Sequence, residues 1–338
     1  MPSPIPVTRL LPKDIFPSLD MGICSSPLTK HSHSSTLQVP VRRFHGATTS
    51  RLWSSVINWK ELRSVQPVGS GGFGSVYRAA YFGETVALKK VKKCTKNKLA
   101  SRQSFWAELN AAHLRHRNIV RVIAATTCVP EDFGDESSIG TVLMEFVGRE
   151  NLQQIIYGSA APLEEDRWLR YSEDIAHGLR FLHSHNVVHL DIKPANILVS
   201  SEDVCKIADF GCSLKLDHGC EASPISPYLS HVGGTYTHRA PELLRGEGVS
   251  PKADIYSFGI TMWQLISREQ PYTGERQHVL YAVVAHNLRP SLHINSVFQS
   301  KLGQRCKTLV ERCWSRDVSC RPTAHELLPH LEQLRSQV

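Results

Sequence analysis

The stretch VQPVGSGGFGSVYRAAYFGETVALKKV, residues 65–91, decides how the front half of this chain folds. Gly69, Gly71 and Gly74 stand in the spacing G-x-G-x-x-G, with Ser70, Gly72 and Phe73 between them and Val76 just beyond. Glycines so spaced either open a helix, as in a dinucleotide-binding turn, or fold back into a second strand. The residues that follow, SVYRAAYF, read as strand. Strand, glycine turn and strand make a flap, whose backbone amides can approach phosphates because no Cβ intervenes. A turn at Gly83 and a further strand, VALK, bring the chain to Lys89, fifteen residues past Gly74. A lysine closing an apolar strand ordinarily snorkels to water. Held by a carboxylate, this one could instead reach phosphates beneath the flap.

That carboxylate has one nearby source. Residues 101–116, SRQSFWAELNAAHLRH, read as a helix, and between Lys98 and Pro130 its Glu108 is the only acidic side chain. Strand-like NIVRVIAA (118–125) and TVLMEFV (141–147) follow, separated by a turn-rich loop. Beyond Gly148 the texture turns helical. In residues 164–185, Trp168, Tyr171, Ile175, Leu179 and Leu182 recur every three or four positions as one apolar stripe. ADIYSFGITMWQLIS, residues 253–267, is apolar on nearly all sides, as a helix inside a larger core would be. The expectation is an α+β chain. Residues 59–147 would be a small, mainly antiparallel β lobe with one key helix, and residues 148–338 a larger, mainly α lobe. Residues 1–58, rich in Ser, Pro, Thr and His, read as a disordered extension.

A second stretch, VVHLDIKPANILV at 187–199, crowds Asp191, Lys193 and Asn196 between two apolar runs. Alone, Asp191 and Asn196 are ordinary turn formers. DFG at 209–211 and APE at 240–242 change that reading. In order and spacing, over about residues 60–335, these motifs resemble the eukaryotic protein kinase family, whose signature set they match. D-x-K-P-x-N resembles its serine/threonine branch.

The resemblance implies a bilobal protein kinase fold that moves the γ-phosphate of ATP, with Mg²⁺, onto hydroxyls of a protein substrate. It implies that Asp191 orients the substrate hydroxyl and takes its proton, and that Asn196 and Asp209 are oxygen ligands for Mg²⁺. Lys89, held by Glu108, would position the α- and β-phosphates, and Lys193 the γ-phosphate. Thr235 would hydrogen-bond Asp191 and Lys193. Gly69 to Gly74 would cover the phosphates. Met144 would be the gatekeeper and Glu145 to Val147 the adenine hinge, with Val76, Ala87 and Leu198 sandwiching the ring. Asp254 would brace the catalytic loop, and Glu242 and Arg321 would form a buried ion pair.

Leu190 departs from the family pattern, which has arginine there to pair with a phosphorylated activation-loop residue. Leucine cannot bond phosphate, so no such phosphate is expected to be needed, although Ser223 and Ser226 in SPISP offer modification sites. Cys212, directly after DFG, reads as a small buried apolar residue. A pseudokinase scaffold would lack Lys89, Asp191 or Asp209, and all three are present. Finer phrases, among them SFWAELN, HLDIKPANIL, DFGCS and GGTYTHRAPELL, resemble an oocyte group within the serine/threonine branch. That implies a cytoplasmic activator of MAP kinase kinases, driving the MAP kinase cascade in meiotic maturation and metaphase II arrest.

Composition sets the remaining bounds. The formal charge of +8 and the run KKVKKCTKNK at 89–98 would suit nucleic acid, but Lys89 has the more specific claim on that run. No apolar run approaches the roughly 18 residues of a membrane span. Nine cysteines without CxxC spacing suggest free thiols in a reducing compartment. Cys306, Cys313 and Cys320, seven apart, suit a helical stripe better than a metal site. A monomer without a specific nucleic-acid or membrane partner is expected.

Overall fold

The computed structural model describes residues 54, 56–70, 74–92, 98–127, 130, 138–158, 162–217, 235–293 and 296–338. The expectations for residues 1–53, Gly71, Gly72, Phe73, Ser223 and Ser226 lie outside them.

The glycine stretch is strand on both sides. β1 (Leu62–Ser70), β2 (Gly74–Tyr81), β3 (Glu84–Lys92), β4 (Val122–Thr126) and β5 (Ser138–Glu145) form one antiparallel sheet in the order β1-β2-β3-β5-β4. Phe82 and Gly83, both at positive φ, make the two-residue turn that a tight hairpin demands. Period-two alternation then sorts the side chains. Leu62, Ala79, Val86, Leu88 and Leu143 close one face over Ile57 and Ala124. Val91, Val122, Ala125 and Val142 on the other face pack against Phe105 of α1 (Lys98–Asn110). Lys89, in register with Val142, belongs to this second face. The sheet thus aims Lys89 at α1.

Three boundaries differ from the sequence reading, each for a physical reason. Ser54 already joins the sheet, exchanging backbone bonds with Ile123 and Ala125, and Ile57 is buried. Composition had put both in the extension. The helix expected to reach residue 116 stops at Asn110. Its last turns tighten into three-residue bonds, Ala112 N–H to Leu109 O and Leu114 N–H to Ala111 O, while the Arg115 guanidinium caps the carbonyls of Ala112 and Leu114. The strand expected over 118–125 is divided between two sheets. Asn118 and Val120 exchange backbone bonds with Ile207, and only Val122 onward pairs with β5.

The larger lobe is helical: α2 (Leu152–Gly158), α3 (Glu165–Ser184), α4 (Pro241–Leu244), α5 (Lys252–Ser267), α6 (Arg276–Ala285), α7 (Lys301–Cys313) and α8 (Ala324–Arg335). Short strands β6 (Glu150–Asn151), β8 (Ile197–Val199) and β9 (Cys205–Ile207) form one small sheet, and β7 (Val187–Val188) with β10 (Leu214–Lys215) another. In α3 the stripe Trp168, Tyr171, Ile175, Leu179 and Leu182 is buried, and every residue of α5 from Ala253 to Ser267 is buried. Arg321 forks onto both oxygens of Glu242 at 2.6 and 2.8 Å, pinning α4 to the segment before α8. Cys306 and Cys313 are buried on α7, whereas Cys320 is exposed beyond it. Among the described residues no group of three or more histidine, cysteine and carboxylate side chains is gathered as a metal site. None of their helices is long and apolar enough to cross a membrane.

Candidate active site

Two clusters of polar side chains are tied together through the backbone bond from Ala208 N–H to Asn196 O. The first rests on β3 and α1. The Lys89 ammonium bonds the Glu108 carboxylate and, at 2.8 Å, Asp209 Oδ1. Burial works to lower the Lys89 pKa, but the two carboxylates outweigh it and hold the ammonium above its ordinary value. Burial raises the Glu108 pKa despite the pull of Lys89. Asp209 goes the other way: burial alone would raise it, yet the Lys89 charge and hydrogen bond bring it down to about 2. One ammonium is therefore shared by two carboxylates from elements 101 positions apart, 108 and 209.

Local backbone makes this possible. Asp209 adopts φ 63°, ψ 74°, the left-handed region that aspartate tolerates better than most residues, and its carboxylate accepts from Gly211 N–H at 3.4 Å. Any Cβ on Gly211 would sit 2.4 Å from Ser104 Oγ of α1, so glycine lets the DFG turn lie directly against the helix that carries Glu108. Phe210 is buried with its ring edge-on to His189 at 5.0 Å. His189 Nδ1 accepts from Asp191 N–H at 3.3 Å, so its Nε2–H is the one directed at Ala208 O, 3.1 Å away. The imidazole thereby ties the two loops together.

The second cluster is built on the loop between β7 and β8. The Asp191 carboxylate is buried and accepts from Lys193 Nζ at 2.7 Å, Asn196 Nδ2 at 2.8 Å and Thr235 N–H at 3.1 Å. Lys193 Nζ also donates to Thr235 Oγ1 at 2.6 Å. Asn196 gives its amide nitrogen to Asp191 O and Oδ2, which leaves Oδ1 as the atom to offer a cation.

Beneath the loop, Asp254 of α5 accepts from His189 N–H and Leu190 N–H, each at 2.8 Å, and pairs with His183 Nε2 at 3.0 Å. Leu190 sits at φ 64°, an uncommon conformation for a branched side chain, and Asp254 holds it there. Its side chain packs on the large-lobe core.

The remaining residues expected to hold the nucleotide divide between the five-stranded sheet, the connection after it and β8. Val76 stands opposite Lys89, and Ala87 opposite Met144, so all four share the α1-side face of the sheet. Gly74 approaches β3 closely: a Cβ there would lie 2.2 Å from Lys90 O, so only glycine fits. Gly69 and Ser70 pair with Val76 and Ser75 across the flap. The Glu145 side chain is taken by Lys206 at 2.9 Å and Arg121 N–H at 2.8 Å, and its own backbone N–H donates to Arg121 O at 2.9 Å. Val147 follows it in the connection to β6, and Leu198 lies in β8, paired with Asn151 and Lys206. The Cys212 thiol is buried, and burial pushes its pKa up to about 12, so it stays protonated and unreactive.

Sequence reasoning missed a further set of residues. His183 was read only as part of a helix, although it lies four positions after Leu179 on the apolar stripe, where a polar residue needs a buried partner. His238 is buried, with Nδ1 at 2.9 Å from Thr237 Oγ1 and Nε2 at 2.5 Å from Gln264 Oε1. Gln264 passes on to Tyr157 OH at 2.7 Å. This neutral chain anchors the segment that begins at Thr235.

An ammonium between two carboxylates, together with a buried aspartate braced by lysine, asparagine and threonine, suits phosphoryl transfer, and residues 62–331 match the family model for the protein kinase domain. The chain belongs to the protein kinase family, with its bilobal fold. Over its length it is 54% identical to serine/threonine-protein kinase mos of Xenopus laevis, the match covering 98% of this chain and 93% of the relative. It is 48% identical to the Gallus gallus protein of the same name and 49% identical to the proto-oncogene serine/threonine-protein kinase mos of Sus scrofa, with both partners covered completely. It is thus a serine/threonine protein kinase homologous to Mos, and enzymes of this class act on protein substrates with ATP and a divalent metal.

Proposed function

We propose that this kinase transfers the γ-phosphate of ATP to serine or threonine hydroxyls of a MAP kinase kinase, as a cytoplasmic monomer, in the cascade of oocyte meiotic maturation and metaphase II arrest. The observation that carries the chemistry is the convergence of Lys193, Asn196 and Thr235 on one buried carboxylate, Asp191. Asp191 accepts the proton of the incoming hydroxyl and aims its oxygen at the terminal phosphorus. Lys193, already 2.7 Å from that carboxylate, meets the charge that develops on the transferred group. Lys89 orients the α- and β-phosphates, and Glu108 keeps its ammonium from swinging away.

The donor set fits Mg²⁺: an ionised Asp209 carboxylate and the Asn196 amide oxygen are hard oxygen ligands, too few for a closed cage, as expected of a cation that shares phosphates and water. When bound, Mg²⁺ neutralises phosphate charge. The adenine would lie between Val76, Ala87 and Leu198, beside Met144, and bond the backbone of Glu145 and Val147. The choice of MAP kinase kinase as substrate is supported by likeness to the Mos kinases over the whole chain.

The test is phosphorylation of purified, catalytically dead MAP kinase kinase, with Asp191→Asn as control. Transfer by the wild type, lost in the variant while nucleotide affinity persists, is the expected result. Equal transfer by the variant would end the assignment of Asp191. Transfer to other proteins but none to MAP kinase kinase would end the assignment of substrate.

A further inference from the structure

A second concavity lies behind the catalytic loop. The C-terminal end of α3 and the N-terminal ends of α5 and α8 enclose a half-open cavity of about 660 Å³, within the range that holds small organic ligands. Its body is apolar, with Phe181 and Ile255 among the walls, and His116 stacks on the Phe181 ring at 4.9 Å. Its polar groups are the cations Arg180 and Lys252, imidazoles that include His116 and His183, and hydroxyls; among the described residues lining it there is no carboxylate.

The charge there is poorly balanced. Burial first, and then His177, Arg180 and Lys206, hold the His116 pKa below 6.5 against a single opposing carboxylate, Asp174. Glu326 on α8 is committed to the capping box with Thr323. Lys252 bonds the carbonyl of Arg321, which fixes its ammonium, and, after the Thr323 hydrogen bonds, its charge helps to lower the pKa of Glu326, which lies outside the cavity lining. An apolar slot whose lining holds Arg180 and Lys252 but no carboxylate is complementary to a ligand with an apolar body and one anionic end.

We propose that this cavity binds a small amphipathic monoanion and that its occupant acts on the catalytic loop. The route is short. His183 lines the cavity and pairs with Asp254 at 3.0 Å, and the same carboxylate holds the backbone of His189 and Leu190 at 2.8 Å. A ligand that orders or reorients the His183 ring shifts the carboxylate that fixes Asp191, and by linkage the catalytic loop in turn sets the affinity of the cavity.

Three probes separate the contributions: 4-phenylbutyrate, its neutral amide, and inorganic phosphate. Phenylbutyrate is expected to raise the melting temperature of the full chain saturably, with the amide and phosphate each binding at least tenfold more weakly. Arg180 is exposed, so Arg180→Glu should fold with an unchanged melting temperature in the absence of probe, and it should weaken phenylbutyrate at least tenfold. If Arg180→Glu lowers that baseline, Arg180→Gln carries the same expectation. Saturating phenylbutyrate should change kcat for peptide phosphorylation at least twofold while KM for ATP stays put. Equal binding of acid and amide, or undiminished binding by the Arg180 variants, would overturn the site. Binding with kcat unmoved would overturn its link to the loop.

Discussion

Asp254→Ala tests the architecture most directly, because one carboxylate carries three hydrogen bonds. Removing it orphans the buried N–H of His189 and the half-buried N–H of Leu190, and strips His183 of its partner. A buried donor left unsatisfied costs about 1–3 kcal/mol, so the two backbone groups together cost about 4 kcal/mol. Part returns: Leu190, no longer held at φ 64°, can relax, which recovers about 1 kcal/mol of left-handed strain. The net loss is about 3 kcal/mol, a large fraction of a stability of roughly 5–15 kcal/mol. In a chain of this size it lowers Tm by roughly 4–5 °C. Activity suffers separately, since a displacement of about 1 Å at Asp191 is enough for roughly a hundredfold loss of rate. Urea denaturation gives the first number and initial rates at saturating ATP the second. An alanine variant within about 1 kcal/mol and threefold of wild type would refute the idea that this carboxylate positions the loop.

Other expectations follow from the same geometry. Lys89→Met should keep the fold by circular dichroism yet lower phosphoryl transfer by about a thousandfold or more, because the charge that orients the phosphates is gone. Arg321→Met strands the buried Glu242 carboxylate and should cost about 3–5 kcal/mol in urea unfolding. Burial holds the His238 imidazole down at about 4 against 6.5 in the open chain, so between those values the unfolded state binds the extra proton. Stability should therefore fall as pH drops from about 6.5 toward 4, by about 3 kcal/mol in all, and His238→Gln should flatten that slope. Since Leu190 offers no partner for a phosphate, enzyme stripped of all phosphate and verified by mass should remain active; complete loss, restored by loop phosphorylation, would contradict this.

Which parts could be read beforehand follows from the range of each signal. The flap was legible because glycine spacing and strand texture are local, and Glu108 because no other acid competes over its stretch of chain. The stripe of α3 and the all-round burial of α5 are likewise properties of one element. Partnerships across elements were not legible from physics alone: that Ile207 would draw Asn118 and Val120 out of the small-lobe sheet depends on a strand more than 80 positions away. The same holds for His238 and Gln264, since periodicity reports which face is inside but not which donor meets which acceptor. Ile57 was hidden because composition was averaged over all of residues 1–58, although its own neighbours Leu52, Trp53, Val56 and Trp59 are apolar.

The arrangement of Lys89, Glu108 and Asp209 has a mechanical consequence. Three segments far apart in the chain share one contact, and their parts in it are unequal: if Lys89 withdraws, two carboxylates face each other unpaired, whereas if Glu108 or Asp209 withdraws the ammonium keeps one partner. Tilting of the small-lobe helix therefore trades away the Glu108 contact while Asp209 keeps the ammonium, and any agent that leans on α1 would change how often Lys89 is held from both sides rather than one.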